Sequence, residues 1–432
     1  VQLQIAVGEV WWKELQRVDR AEAIFAHALE TDPESREAMG ALGRLYERSG
    51  NWNPALDMLR REARVAAASK DAVEIHHRMG KIQEEMLQDL PAARQAYGLA
   101  LEMEPGHLPT IRAVKGICER EKDRAGYLEA LVAESKYVED DAEKATLLHE
   151  VGRIHQEERN DRPAATRAYE EALKRAPDFL PAARPLSEIY QSQGDWPQAE
   201  RVLDVIVRRL SAEGDAKELC RQSYRLGYVA EKLGNRDKAL ASYRRAYELD
   251  ATYLPALEGL GNMLTQEKQW EEALRIFQAI LIHHRDGLTD LEVVETYWQI
   301  GEVQSQLGQA DRAQKSFEKA LEMDQNHEPS RHSLVRLLEA QGDWEGAVEH
   351  RQKLAPLLEG KARFDQYVAV GQTARDRLKD PYLALDAFLQ AARTEPTDVA
   401  VTEALPGLYR ETRQGQKAAD VVGELQIGRA HV

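Results

Sequence analysis

The chain has 432 residues and a formal net charge of −16, with 43% apolar, 31% charged and 6% aromatic residues. This composition is typical of a charge-rich helical protein and argues against disorder, and no apolar run reaches the roughly 18 residues that span a membrane. The negative charge repels phosphate backbones and argues against nucleic-acid binding. Two cysteines, Cys118 and Cys220, are too few for a disulfide framework or a thiolate metal site.

We expect both ends of the chain to differ from the natural termini. It begins VQLQIAV, with neither an initiator methionine nor a signal peptide, so we expect residues before Val1. The compartment therefore stays open, with the cytoplasm slightly favoured over the periplasm. The last six residues, IGRAHV, match the translation of a common sequencing adapter. We expect Ile427–Val432 to be a non-native tail and the gene to continue beyond Gln426.

One pattern recurs along the chain from its first residues. A small residue is followed about 12 positions later by Ala, then by an aromatic residue or Leu four positions on, and often by Ala three further on. Successive small-residue positions lie 34 to 40 residues apart. This position, or its equivalent, is occupied by Gly8, Gly43, Gly80, Lys115, Gly152, Ser187, Gly227, Gly261, Gly301, Val335, Gly371 and Pro406.

The pattern predicts two helices per repeat, each of about 14 residues and roughly 20 Å long. In the seventh repeat, Gly227, Ala239 and Ala246 are small where the two helices must approach, and Leu226 and Tyr243 fill the space beside them. A single repeat cannot bury its apolar face alone. Stacking of neighbours supplies the core, so we expect an all-α solenoid.

Glycine and proline predict where these helices end. The turn inside a repeat is expected to hold a left-handed C-cap, and proline is expected to end the second helix. The turn glycines are Gly50, Gly194, Gly234, Gly308 and Gly342, and the prolines are Pro33, Pro105, Pro177 and Pro396.

A longer period of 70 to 75 residues makes a pair of repeats the evident building block. Second members of pairs place a tryptophan in the turn, and one recurring slot for four of the seven tryptophans indicates packing rather than ligand stacking. These are Trp52, Trp196, Trp270 and Trp344.

In these residues the chain resembles the tetratricopeptide repeat family, whose repeat has about 34 residues. The resemblance covers residues 1–426 and implies a right-handed superhelical solenoid of about twelve helix-turn-helix repeats, arranged as six pairs. The repeats start near residues 1, 36, 73, 108, 145, 180, 220, 254, 294, 328, 364 and 399.

No stretch of the sequence carries catalytic chemistry. HEVGRIH (149–155) and HEPSRH (327–332) are similar to a zinc-protease motif, but their histidines are six and five residues apart instead of four, which places the imidazoles on different helix faces. GLGNML (259–264) lacks the third glycine of a dinucleotide-binding loop. We therefore expect no enzyme, no cofactor and no metal.

The resemblance implies that first helices line a concave groove. With the small residue numbered 8, positions 5 and 9 of each first helix are expected to face this groove, and we call them the groove positions. In repeats two to six they hold five basic residues and one acidic residue. The candidate partner-binding residues are Arg44, His77, Lys81, Arg112, His149, Arg153, Arg184, Tyr224, Tyr228, Trp298, His332 and Arg336.

These residues predict a groove with a basic N-terminal half and an aromatic middle, which suits an acidic extended peptide or a partner helix. The alternative is that long polar side chains only solvate the inner helices. The Lys and Asn set with which some family members clamp a chaperone carboxylate is not reproduced, since the only Asn at position 9 is Asn262.

Three functions remain open at this stage. The first is a non-catalytic scaffold that binds protein partners, which the twelve repeats and the lack of a catalytic motif favour. The second is the regulatory or targeting arm of a larger enzyme or signalling protein. The third, RNA binding, is disfavoured by the net negative charge. The oligomeric state stays unknown.

Overall fold

The computed structural model describes residues 1–66, 71–395 and 398–413. These residues form 23 α-helices and no strand. The helices of the first six repeats are α1 (Gln2–Lys13), α2 (Val18–Thr31), α3 (Arg36–Arg48), α4 (Trp52–Val65), α5 (Asp71–Lys81), α6 (Leu90–Met103), α7 (Leu108–Arg120), α8 (Arg124–Tyr137), α9 (Asp141–Glu157), α10 (Arg162–Arg175), α11 (Leu180–Gln193) and α12 (Trp196–Glu213).

The later helices follow the same order. They are α13 (Ala216–Lys232), α14 (Arg236–Leu249), α15 (Leu254–Gln266), α16 (Trp270–His284), α17 (Asp290–Gln306), α18 (Ala310–Met323), α19 (Glu328–Gln341), α20 (Trp344–Leu354), α21 (Gly360–Thr373), α22 (Pro381–Thr394) and α23 (Val399–Glu411). A π-helical turn extends α5 over Ile82–Met86 and α21 over Ala374–Leu378.

The chain divides into two compact bodies, Val1–Arg209 and Leu210–Val432. Within each body, and among the described residues, every extensive contact joins helices that are adjacent or next but one in the chain. The apolar core passes from repeat to repeat, as in the cluster that includes Ala230, Leu257, Phe277 and Val303. This is the all-α helical repeat solenoid that the sequence predicts.

Odd-numbered helices carry the small-residue position, and at seven of its eight glycines an aromatic ring on the following helix explains the small size. A Cβ added to Gly152 would lie 2.5 Å from Cε1 of Tyr169, and one added to Gly227 would lie 2.7 Å from Cδ1 of Tyr243. Both distances are far shorter than van der Waals contact. The glycine therefore makes room for the ring, which is 1% exposed in both pairs.

The turns inside the repeats confirm the predicted left-handed caps. In repeat seven, Gly234 has φ of 74°, and the following Asn235 N–H donates to the carbonyl of Ala230 at 2.9 Å. The five predicted glycines all have positive φ. In the six other turns inside repeats, and in the turn after α23, the residue with positive φ has a side chain, and glycine positions in the sequence could not predict it. These residues are Gln16, Gln88, Lys122, Asn160, Lys268, Lys379 and Arg413.

Proline and tryptophan mark helix ends within one residue of expectation. Pro33, Pro105 and Pro177 each follow the last residue of a second helix by two positions, whereas Pro396 and the predicted tail 427–432 lie outside the described residues. The four recurring tryptophans are not in the turn itself. Each is the first residue of its second helix, because the turn ends one residue earlier.

Candidate functional site

The twelve candidate residues all lie on first helices, α3 to α19. Those that are exposed are Arg44, Lys81, Arg112, Arg184, Tyr228, His332 and Arg336, and those that are half-buried are His77, His149, Arg153, Tyr224 and Trp298. Each body therefore presents its own set. Three of the arginines are held by carboxylates, namely Arg112, Arg153 and Arg336. Four of the rings pack into clusters, namely His77, His149, Tyr224 and Trp298.

Arg112 is held by carboxylates of two other helices. Its Nε donates to Oε1 of Glu134 on α8 at 2.7 Å, and its Nη2 donates to Oε1 of Glu143 on α9 at 2.6 Å. Glu134 is only 2% exposed and also accepts from Lys115. These contacts raise the pKa of Arg112, chiefly through the hydrogen bond with Glu134. A buried carboxylate on a second helix thus neutralises positive charge that the sequence assigned to the groove.

Other basic candidates are paired in the same way. Arg153 donates to Glu150 at 2.6 Å and to Glu157 at 2.9 Å on its own helix, and the hydrogen bond with Glu150 is the largest cause of its raised pKa. Arg336 donates to Glu302 at 3.0 Å, and Lys81 lies 4.0 Å from Glu85. Much of the predicted basic excess is therefore compensated within the chain.

Rings at position 5 of alternate first helices form a recurring cluster. The His149 ring lies 5.9 Å from that of Tyr169, on the second helix of its own repeat, and 6.0 Å from that of Phe179, which precedes the next first helix. Tyr224 repeats the arrangement with Tyr243 at 5.9 Å and Tyr253 at 5.8 Å. Each such ring joins two consecutive repeats of one pair.

The other two clusters vary the same theme with polar contacts. His77 packs 5.6 Å from Tyr97 and 5.4 Å from His107, and its Nδ1 is 3.0 Å from the hydroxyl of Thr110. Trp298 lies 6.5 Å from His327 and donates to Ser333 at 3.1 Å.

Burial shifts the protonation of these rings. It lowers the pKa of His77 and His149 and raises that of Tyr224. The uncharged forms are therefore the ones that pack.

The third ring of each cluster was missed at the sequence level, although a signal exists. It is the residue two positions before a proline that opens a first helix. The corresponding tripeptides are HLP (107–109), FLP (179–181), YLP (253–255) and HEP (327–329).

Groove positions line a cavity at two places, those of repeats one and two at the first and those of repeat eight at the second. In the N-terminal body a cavity of about 910 Å³ lies among Ile5, Glu9, Gly40 and Arg44. Gly40 leaves it open, and the Glu62 carboxylate of α4 also lines it. Burial raises the pKa of Glu62 despite the neighbouring arginines.

The second cavity belongs to the C-terminal body. It measures about 430 Å³ and is lined by Glu258 and Asn262 of α15 and by Glu295 and Gln299 of α17. Gln299 donates to Asn262 at 3.3 Å across the two helices. Burial and the charge of Glu292 raise the pKa of Glu258.

Three further features of the described part of the chain are its candidate metal ligands, its longer helices and its cysteines. No set of three histidine, cysteine or carboxylate side chains there is arranged to hold a metal ion, and no described helix is both long and apolar enough to cross a membrane. Cys118 and Cys220 are both buried and unbonded to each other, and burial raises the pKa of the Cys220 thiol to about 11.

Stacked helical hairpins with a small residue facing a ring define a helical repeat protein. Sequence comparison agrees: tetratricopeptide repeat profiles match residues 14–63, 158–222, 223–253 and 253–326. The chain belongs to the tetratricopeptide repeat family. Comparison with curated proteins gives no match.

Solved structures with the same kind of fold include YrrB, a tetratricopeptide repeat protein with an unusual peptide-binding site. It is 21% identical, covering 45% of this chain and 95% of that one, at a TM-score of 0.35. The C-terminal part of a tetratricopeptide repeat-containing protein from Cytophaga hutchinsonii is 15% identical, covering 61% of this chain and 98% of that one, at a TM-score of 0.45. The structure of Naa15/Naa10 bound to HypK is 14% identical, covering 96% of this chain and 67% of that one, at a TM-score of 0.37.

Proposed function

We propose that this protein is a non-catalytic scaffold that binds peptide or helix segments of partner proteins along its first helices. The observation that carries the proposal is that first helices of adjoining repeats line an open cavity in each body. The groove positions Gly40 and Arg44 take part in one, and Glu258 and Asn262 take part in the other. Clefts between helices are where bundles and repeat proteins accept ligands.

The two bodies offer different chemistry to a partner. First helices of the N-terminal body present arginine and lysine, and those of the C-terminal body present Tyr224, Tyr228 and Trp298 together with Glu258 and Glu302. We propose that the N-terminal body accepts acidic extended segments. The C-terminal body would contribute ring and carboxylate contacts.

The intrachain ion pairs do not prevent such binding. Arg112 and Arg153 are each paired with one well-exposed carboxylate, Glu143 at 46% and Glu157 at 58% side-chain exposure. An exposed pair contributes only about 0.2–1 kcal/mol, so a partner's carboxylate can replace either one at small cost. Binding of this kind depends strongly on salt concentration.

The test uses a fluorescein-labelled peptide rich in glutamate and measures its fluorescence anisotropy at low and high salt. The variant Arg112→Gln/Arg153→Gln/Arg184→Gln removes three charges from first helices. We expect its affinity to fall by roughly 3- to 100-fold at low salt, because three exposed pairs are together worth about 0.6–3 kcal/mol.

The matched control removes three charges from second helices: Arg60→Gln/Lys174→Gln/Arg175→Gln. Its net charge equals that of the first variant, so general electrostatic attraction changes equally in both. Equal affinity of the two variants for the peptide would show that the first helices do not form the binding surface.

A further inference from the structure

A third cavity, of about 410 Å³, lies beside the recurring tryptophan of repeat two. Its apolar walls are Trp52, the first residue of α4, with Ile82 and Met86 of the π-helical turn that extends α5. Ile82 is 7% exposed and Met86 is 48% exposed. The volume falls within the range of pockets that bind small ligands or single side chains.

Equivalent tryptophans elsewhere in the chain have a different neighbour at the position of Met86. In repeat 11 that neighbour is Arg377, whose guanidinium lies 4.9 Å above the ring of Trp344. In repeat nine it is Leu307, which packs with Trp270 against one apolar cluster. Beside Trp52 the side chain of Met86 instead borders an open cavity.

The mouth of this cavity is positively charged. Arg48, Arg78 and Lys81 line it together with Glu47 and Glu85. Arg78 is committed to Glu47 at 2.7 Å, and Lys81 is 4.0 Å from Glu85.

Arg48 is the charge that remains available. Among the described residues it has no carboxylate within ion-pair distance, and its guanidinium lies 5.3 Å from the centre of the Trp12 ring. An anionic group at the mouth could therefore pair with the Arg48 guanidinium, next to the apolar walls of the cavity.

We propose that this cavity receives an apolar side chain of a partner segment, and that a carboxylate next to it in the segment pairs with Arg48 and Lys81. The inference rests on the proposed scaffold function and names one anchoring point for it. An apolar anchor in a pocket with a charged rim is the usual form of an interaction hot spot. The occupant is an acidic segment with a large aliphatic residue between its carboxylates.

The experiment labels the seven tryptophans of the full chain with fluorotryptophan and follows their fluorine NMR signals. Trp52→Phe assigns the Trp52 signal. The probe is the blocked peptide Gly-Asp-Leu-Asp-Gly. We expect the Trp52 signal to shift during titration with this peptide. The peptide with Ala in place of Leu should require about tenfold higher concentration for the same shift, because most of the buried apolar area is lost.

Reciprocal variants separate this cavity from general binding. Met86→Arg copies the residue found in repeat 11 and is expected to cover Trp52 and abolish its shift. Arg377→Met copies repeat three and is expected to let the probe shift the Trp344 signal. Arg48→Gln, which leaves the apolar walls intact, is expected to weaken the shift and remove the preference for Asp over Lys beside the Leu.

A Trp52 signal that stays still up to the solubility limit of the probe would overturn the proposal, as would equal shifts with the Leu and Ala peptides. The outcome is independent of the groove test. If the first-helix arginine variant loses the glutamate-rich peptide while Trp52 stays still, the scaffold function stands and this anchoring point fails.

Discussion

The left-handed residue in each turn is where side chain and backbone conflict most directly. Left-handed conformation costs a residue with a Cβ roughly 1–2 kcal/mol relative to glycine. Lys122 and Lys268 adopt it with φ of 58°, whereas Gly234 and Gly308 adopt it without that cost. Around both of these glycines no atom lies within 4 Å of an added Cβ. The backbone alone therefore sets the preference at these positions.

One substitution made at two glycines should have opposite effects on stability. Gly234→Ala should lower the free energy of unfolding by about 1 kcal/mol. Gly98→Ala should raise it by about 0.5–1 kcal/mol, because Gly98 lies inside α6 and an added Cβ there also meets no atom within 4 Å. Urea midpoints measure both changes. Effects of the same sign would show that side-chain contacts, and not backbone conformation, decide these sites.

The sequence could predict the glycine turns but not the others. A glycine directly after a helix predicts positive φ, and all five predicted glycines have positive φ. Lysine or glutamine at the same place does not predict positive φ. The left-handed conformation there is imposed because the second helix must fold back onto the first. Helix packing compensates for the cost at Gln88 and Lys122.

At the scale of helices, the ring clusters explain why the pair of repeats is the building block. Each cluster joins a first helix, its own second helix and the residue that precedes the next first helix, as His149 does with Tyr169 and Phe179. Position 5 is thus partly structural, because each ring is half-buried in its cluster and the buried part cannot contact a partner. The sequence assigned these rings to binding because periodicity identifies a face but not the depth of a side chain on it.

The His149 cluster should make stability depend on pH. Burial lowers the pKa of His149 in the folded state, although Glu150 and Glu157 act in the opposite direction and Arg153 reinforces it. The unfolded chain, with its ordinary pKa of about 6.5, therefore takes up the proton first as pH falls. Stability present above this value is lost below it.

We expect His149→Phe to lose less stability than the wild type between about pH 7.5 and pH 5.5, because the imidazole whose protonation favours the unfolded chain is gone. Urea midpoints at the two pH values give the difference. Tyr224→Phe is the control at the equivalent ring, since burial raises the pKa of Tyr224 further above this range. An unchanged pH dependence in His149→Phe would contradict the assignment.

At the scale of the whole molecule, contacts among the described helices are local in the chain. Stability of such a repeat protein is the sum of repeat and nearest-neighbour terms, so damage should stay near its origin. Gly152→Ala places a Cβ 2.5 Å from Tyr169. The same change at Gly43, which holds the same repeat position, meets its nearest atom, Cβ of Met58, at an ordinary 3.5 Å.

Hydrogen exchange read by mass spectrometry should separate these variants. Gly152→Ala should lower protection by about 1–3 kcal/mol in α9 and α10, less in α8 and α11, and little in α1 and α2. Gly43 lies inside α3, so Gly43→Ala should raise protection there by about 0.5–1 kcal/mol, with little change in other helices. A uniform loss throughout the described helices of the N-terminal body in Gly152→Ala would mean that this body unfolds as a single cooperative unit.

The sequence by itself determined the all-α repeat, because glycine, alanine and ring recur at spacings that only stacked helical hairpins satisfy. The tertiary structure alone decided which side chains of the groove positions are available. Glu134 stands 22 residues from Arg112 and on another helix, yet it neutralises that arginine. Met86, an ordinary helix residue in the sequence, borders an open cavity beside Trp52, whereas the guanidinium of Arg377 at the equivalent position lies over the ring of Trp344. Pairing and occlusion depend on distances across helices, and residue spacing along one helix does not contain them.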